Sequence, residues 1–163
     1  MRKLLRKLLG TKIIAYDYKI VNIYMDKDDK ITFIPTGESK KWRLTTDLNF
    51  KIELIPPYAD AELEEKLFSA MNMCFSYEPV DQTYNSNEEK VTASKTYNKE
   101  MKGKRLISLH WNKVDGYVVE PFKKAKDRGF TIIDENVIRV GTSITKGTLA
   151  NAIKEAMKRS EPY

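Results

Sequence analysis

Hydrophobic and polar positions change period along this chain in a way that repeats. Residues 18–25 (YKIVNIYM) and 31–35 (ITFIP) are rich in β-branched and aromatic side chains and short enough to be strands. A turn at Lys27–Lys30 separates them, with Asp suited to it because its carboxylate can bond the backbone two residues on. Proline at 35 should stop the second strand, since it has no N–H to donate to a ladder. Further strands are expected near Arg43–Leu48 and Phe50–Ile55. The period then lengthens: Leu63, Leu67, Ala70 and Met71 fall on one face of a helix. Asp60 or the residue before it can cap this helix, and the acidic first turns suit its dipole.

Sliding residues 12–76 by 86 positions, without a gap, reproduces this order. Nine of the 65 pairs are identical, among them Asp29 with Asp115, Pro35 with Pro121, Leu63 with Leu149 and Met71 with Met157. Roughly four identities are expected from ordinary composition, so the register of the pattern carries more weight than the identities. Residues 104–111 (KRLISLHW) answer 18–25, a turn at Lys113–Gly116 follows, and 117–121 (YVVEP) again ends in proline. Phe130–Asp134 and Val137–Val140 supply the later strands. Leu149, Ile153, Ala156 and Met157 form the second helical stripe, with Thr145 as the expected N-cap and Lys158 and Arg159 in the last turn.

The fold class expected is therefore α+β: two pseudo-symmetric antiparallel ββββα (or βββα) units forming one domain over 1–163. The units span about 12–76 and 98–162, joined by a polar connection at 77–97. Within the connection, Glu78–Asn87 reads as an exposed loop and Glu89–Met101 as a short helix closed by Gly103. Residues 2–9 (RKLLRKLL) read as an amphipathic turn or two.

Composition narrows the function classes. The 163 residues are 41% hydrophobic, enough for a core, and no apolar run reaches membrane-span length, so a soluble, cytoplasmic protein with no membrane partner is expected. Cys74 is the only cysteine and His110 the only histidine, which removes disulfide frameworks, Cys-based zinc sites and Cys–His pairs. Alternation puts His110 on the strand face opposite Leu109 and Trp111. Ser143 and Lys146 have the Ser-x-x-Lys spacing, but neither of the companion motifs that make it a nucleophile site is present. Seven scattered glycines assemble no phosphate loop. No enzyme, no cofactor and no metal site is expected.

Charge is distributed unevenly. Residues 1–86 carry 13 basic and 13 acidic side chains, whereas 87–163 carry 16 and 10 and so account for the whole net charge of +6. The matched helices also differ, with a net of −3 over residues 60–71 and +3 over 146–159. Core positions stay alike while the exposed faces take opposite sign, which suits contact with charged partners.

In the second unit, KGKRLISLHWNKVDGYVVEP (102–121), VIRVG (137–141) and TLANAIKEAMKRS (148–160) resemble the bacterial contact-dependent growth inhibition (CDI) immunity proteins. Ile52 to Met73 repeats that ending in the first half. The resemblance implies a non-catalytic cytoplasmic inhibitor. Its partner would be a cognate toxin domain, the C-terminal part of a large CDI effector and often a nuclease. An acidic patch could occupy a nuclease cleft as a phosphate mimic. The candidate toxin-binding residues are Asp60, Glu62, Glu64 and Glu65, with Tyr77 and Tyr84 as aromatic anchors at the rim.

An alternative belongs to another class. Tandem units with a basic half also resemble the Whirly-type architecture of single-stranded DNA-binding proteins. That resemblance implies a nucleic-acid site built from Lys104, Arg105, Lys113, Tyr117, Lys123 and Lys124. Either reading is compatible with a monomer or a weak dimer.

Overall fold

A computed structural model describes residues 16–80 and 86–163. The amphipathic stretch expected at 2–9 and the candidate Tyr84 lie outside the described residues. The fold is α+β. Strands β1 (Tyr18–Met25), β2 (Ile31–Ser39), β3 (Leu44–Asp47) and β4 (Ile52–Leu54) precede helix α1 (Asp60–Met73). Helix α2 (Asn87–Met101) leads into β5 (Arg105–Asn112), β6 (Gly116–Lys124), β7 (Phe130–Ile132), β8 (Ile138–Gly141) and α3 (Thr148–Arg159). The described strands form one antiparallel sheet in the order β3-β2-β1-β5-β6-β7, with β4 also pairing β2 and β8 also pairing β6.

The two halves share this wiring strand for strand. At the centre β1 pairs β5, and Asn22 faces Ser108, its own counterpart 86 positions on. Val21 faces Pro35 in one half as Ile107 faces Pro121 in the other. A local twofold therefore passes between Asn22 and Ser108. Both hairpin turns are held by matched side chains. Asp26 Oδ1 accepts the N–H of Asp28 at 2.9 Å and of Lys30 at 3.1 Å. Asn112 Oδ1 accepts those of Val114 at 2.9 Å and Asp115 at 2.7 Å. Asp26 and Asn112 hold the turns, and Asp115 adds to the second by accepting the Asn112 side-chain amide at 3.0 Å.

Two expectations change. Prolines 35 and 121 do not stop their strands, which run on to Ser39 and Lys124. Each marks the place where its strand exchanges one edge neighbour for another: β2 pairs β4 over Ile31–Phe33 and β3 over Thr36–Ser39. At such a switch a missing N–H costs little, and the carbonyls of Pro35 and Pro121 still accept Leu48 and Ile133 at 2.9 Å. The second helix is not capped by Thr145. It starts at Thr148 after Gly147, whose φ of 87° is open to glycine without strain.

Both α1 and α3 lie on one side of the sheet. Between them and the strands sit Val21, Ile23, Phe33, Leu63, Leu67, Ile107, Leu109, Leu149 and Ile153, all fully buried. These are the residues of the two helical stripes and of alternate strand positions. Burying such a side chain stabilises by about 1.5–3 kcal/mol.

Candidate functional site

The sheet face away from α1 and α3 is built differently. Alternation brings Asn22, Tyr24, Ser108, His110 and Glu120 to it, beside apolar Ile34, Leu106 and Val118, and two side-chain pairs cross it. His110 Nε2 meets Glu120 Oε2 at 2.9 Å across a β5–β6 diagonal. Asn22 Nδ2 donates to Asp47 Oδ1 at 2.7 Å. Burial pushes the Asp47 carboxyl above its ordinary value, with the Asn22 bond pulling the other way. Burial also pushes the Tyr24 phenol well up, and nearby Asp47 and Tyr97 add to the shift, so Tyr24 is neutral.

Helix α2 lies over one end of this face. None of its side chains is buried, although Ser86 Oγ caps it by accepting the Glu89 N–H at 3.1 Å. Its tether is Tyr163, whose backbone pairs with Gly103 and Lys104 and whose hydroxyl donates to Asn98 Oδ1. A cleft of about 460 Å³ opens between α2 and the strands, with Tyr24, Asp47, Tyr97, Glu100 and Met101 among its walls. Among the described residues no group of three or more His, Cys, Asp or Glu side chains is placed to hold a metal ion.

The acidic residues expected on α1 do not form one patch. Glu64 is only 8% exposed, and its carboxylate accepts the backbone N–H groups of Gly147 and Leu149 at 3.0 Å and of Ala150 at 3.1 Å. It caps α3 from the other half of the chain and offers nothing to a partner. Asp60 is paired with Lys154 of α3. Glu62 and Glu65 are exposed. Tyr77, 41% exposed, follows the opposite end of α1. Glu62 and Glu65 lie eleven and eight residues before the end of α1, about 16 and 12 Å of helix rise, so Tyr77 sits at the other end of the helix from them.

The six residues of the nucleic-acid alternative are likewise dispersed. Arg105 turns its guanidinium onto the carbonyls of Met157 and Ser160, closing the end of α3. Tyr117 packs against the core on the helix side of β6, and Lys123 shares that parity, whereas Lys124 lies over the Tyr163 ring at 4.7 Å on the other side. Lys113 is in the β5–β6 turn, and Lys104 lines the cleft beneath α2. They form no single track for a phosphate backbone.

One exposed feature was not anticipated. The tip of the β2–β3 hairpin presents Trp42, 58% exposed, and Leu44, 63% exposed, within the run KKWRL at 40–44. At its base Tyr16 stacks on Phe75 with centroids 3.8 Å apart, Tyr18 meets both rings edge-on, and Tyr77 lines the same small cleft. The signal was present in the sequence as a tryptophan among cations in a break between two strands.

Comparison with known proteins places the fold. No family model matches the chain, and no curated protein matches it. Among solved structures, a protein of unknown function from Neisseria meningitidis, NMB0488, is similar at a TM-score of 0.66 and 8% identity, over 93% of this chain and 100% of that one. A chain of the CdiA-CT/CdiI toxin and immunity complex from Yersinia pseudotuberculosis is similar at a TM-score of 0.61 and 11% identity, over 90% of this chain and 99% of that one. At these identities the likeness is one of fold: over 90% of its length the chain has a fold found in the CdiA-CT/CdiI toxin and immunity complex.

Proposed function

We propose that this protein is an immunity protein: it binds a cognate CDI toxin domain, the C-terminal part of a large effector, and neutralises it by protein–protein contact without catalysis. The observation that carries the reading is the fold match, over 90% of this chain, to a chain of a CdiA-CT/CdiI toxin and immunity complex. The architecture supports it. The described part of the molecule is a sheet with one face sealed by two helices and the other face carrying paired polar groups among apolar ones, a frame on which surface side chains can be held in place. Among the described residues no helix is long and apolar enough to cross a membrane, which is compatible with a cytoplasmic inhibitor. A nuclease is the toxin class proposed, because keeping a nuclease from its nucleic acid by protein–protein contact needs charge and shape and no chemistry.

The test is direct. The toxin domain encoded immediately upstream is purified and titrated with this protein by calorimetry, and the pair is co-expressed in a toxin-sensitive strain. A one-to-one complex with an affinity on the order of nanomolar, together with protected growth, is the expected result. If the purified domains do not associate and growth is not protected, the immunity reading is wrong.

A further inference from the structure

We propose that the tip of the β2–β3 hairpin, centred on Trp42, is the hot spot through which this protein grips its partner, and that the partner offers an apolar pocket rimmed by carboxylates. This deepens the immunity reading and rests on it.

Three observations converge on the tip. The first is apolar exposure. A tryptophan and a leucine two residues apart are both more than half exposed; Ile55, Val80, Val91 and Val114 are also more than half exposed, but none of them has a second such residue two positions away. Exposed apolar surface rimmed by polar groups marks interaction sites, and buried Trp and Arg dominate interface energetics.

The second is preorganisation. Ser39 is buried and ties down the turn with both its oxygens: its carbonyl accepts the Arg43 N–H at 2.7 Å, and its hydroxyl accepts the Trp42 N–H at 3.2 Å. Glu78, from the segment after α1, accepts the Lys40 N–H at 3.1 Å and pairs with the Lys40 ammonium at 3.2 Å. Arg43 is held at a φ of 52°, a left-handed conformation that a non-glycine residue adopts at a cost. A tip tethered at this many points loses little further freedom on binding, and that saving appears as affinity.

The third is charge. Glu78 neutralises Lys40, which leaves Lys41 and Arg43 as the cations flanking the indole, with the Lys41 ammonium 4.8 Å from the ring centre. An acidic rim around an apolar pocket complements this arrangement. A single-stranded nucleic acid would also meet cations and a stacking ring here. Leu44 argues for protein, because it is the more exposed of the pair and offers no face on which a base can stack.

The experiment uses the full chain and the purified upstream toxin domain, with Trp42→Ala, Arg43→Ala and Leu44→Ser compared with wild type by calorimetry. The control is Ile55→Ser, an exposed apolar side chain just after β4, at the far end of β2 from the tip. Because the substituted side chains are exposed, thermal unfolding of each variant is expected to match wild type. Trp42→Ala is expected to weaken binding about 30-fold or more, with smaller losses for Arg43→Ala and Leu44→Ser and none for the control. Wild-type binding that survives Trp42→Ala within about threefold overturns the hot spot and leaves the immunity reading standing. No binding by wild type overturns both. Salt-sensitive capture of a labelled single-stranded oligonucleotide that Trp42→Ala abolishes, with toxin binding unchanged, assigns the tip to nucleic acid and overturns the proposal.

Discussion

The carboxylate of Glu64 accepts the backbone N–H of Leu149 at 3.0 Å, so a side chain of α1 completes the first turn of α3. Gly147, at the N-cap of α3, has no side chain for the task. Three N–H groups converge on the two oxygens of Glu64 where the helix dipole is positive. The position 86 residues after Glu64 is Ala150, so the second half returns no equivalent bond.

Removing this cap should therefore loosen the seam between the halves. Glu64→Ala is expected to cost about 2–4 kcal/mol in urea unfolding, because it strands buried donors. Glu64→Gln, which keeps an acceptor but loses the charge, should cost about half as much. Lys154→Ala, which breaks the exposed pair with Asp60 across the same seam, should stay within about 1 kcal/mol. Equal losses for Glu64→Ala and Lys154→Ala would refute the capping role.

A second expectation concerns Gly116, which opens β6 at a φ of 74°. A methyl group there would sit 2.1 Å from the carbonyl oxygen of Gly141, where β6 and β8 pair with a register shift. Backbone cannot give way as a side chain tip can. Gly116→Ala should destabilise by about 3 kcal/mol or more. Gly129→Ala, at a φ of 84° in open space, should cost only ~1–2 kcal/mol. Comparing the two denaturation midpoints checks the claim.

Asp47 sets a pH dependence. Burial raises its folded-state pKa above the unfolded value of about 3.9. A raised acid binds its proton more tightly when folded, so its contribution is fully present below the unfolded pKa and is lost as pH rises through the folded one. Above that window the charged form is a net cost. Asp47→Asn keeps an acceptor for the Asn22 amide and removes that cost. The variant is expected to melt above wild type at pH 7 and level with it near pH 3. A variant that melts below wild type at pH 7 would show that the carboxylate is favourably placed.

The lone thiol should be inert in the folded protein. Cys74 is buried, its Sγ donates to the Ile20 carbonyl at 3.2 Å, and burial raises its pKa. Attack needs the thiolate. Labelling with a thiol reagent at pH 8 should be slow in buffer and rapid in guanidinium chloride. Fast labelling in buffer would contradict the burial.

Local periodicity was enough to read the element types, because which residues can face a core depends on neighbours three, four or two positions away. The stripe Leu63, Leu67, Ala70, Met71 and its counterpart at Leu149–Met157 are buried as their spacing requires. Glu64 was misread because charge was weighed over position. It lies beside Leu63 and three residues before Leu67, on the flank of the same stripe, and that spacing already points inward.

What no spacing contained was the placement of elements remote in sequence. The acidic run 60–65 becomes a cap, an ion pair and two exposed carboxylates only because the start of α3 docks beside it, more than eighty residues away. Lys104, Arg105 and Lys124 read as one basic set with Tyr117 among them, yet strand alternation and the end of α3 send them to different sides. Prolines 35 and 121 read as stops because a chain alone does not show that each strand has two successive edge neighbours. The chain by itself determined which segments become strands and helices, because that choice is settled by short-range backbone preference and hydrophobic period. The tertiary structure alone decided which polar side chains remain for a partner, because that depends on long-range packing that uses some of them and leaves others, Trp42 among them, in solvent.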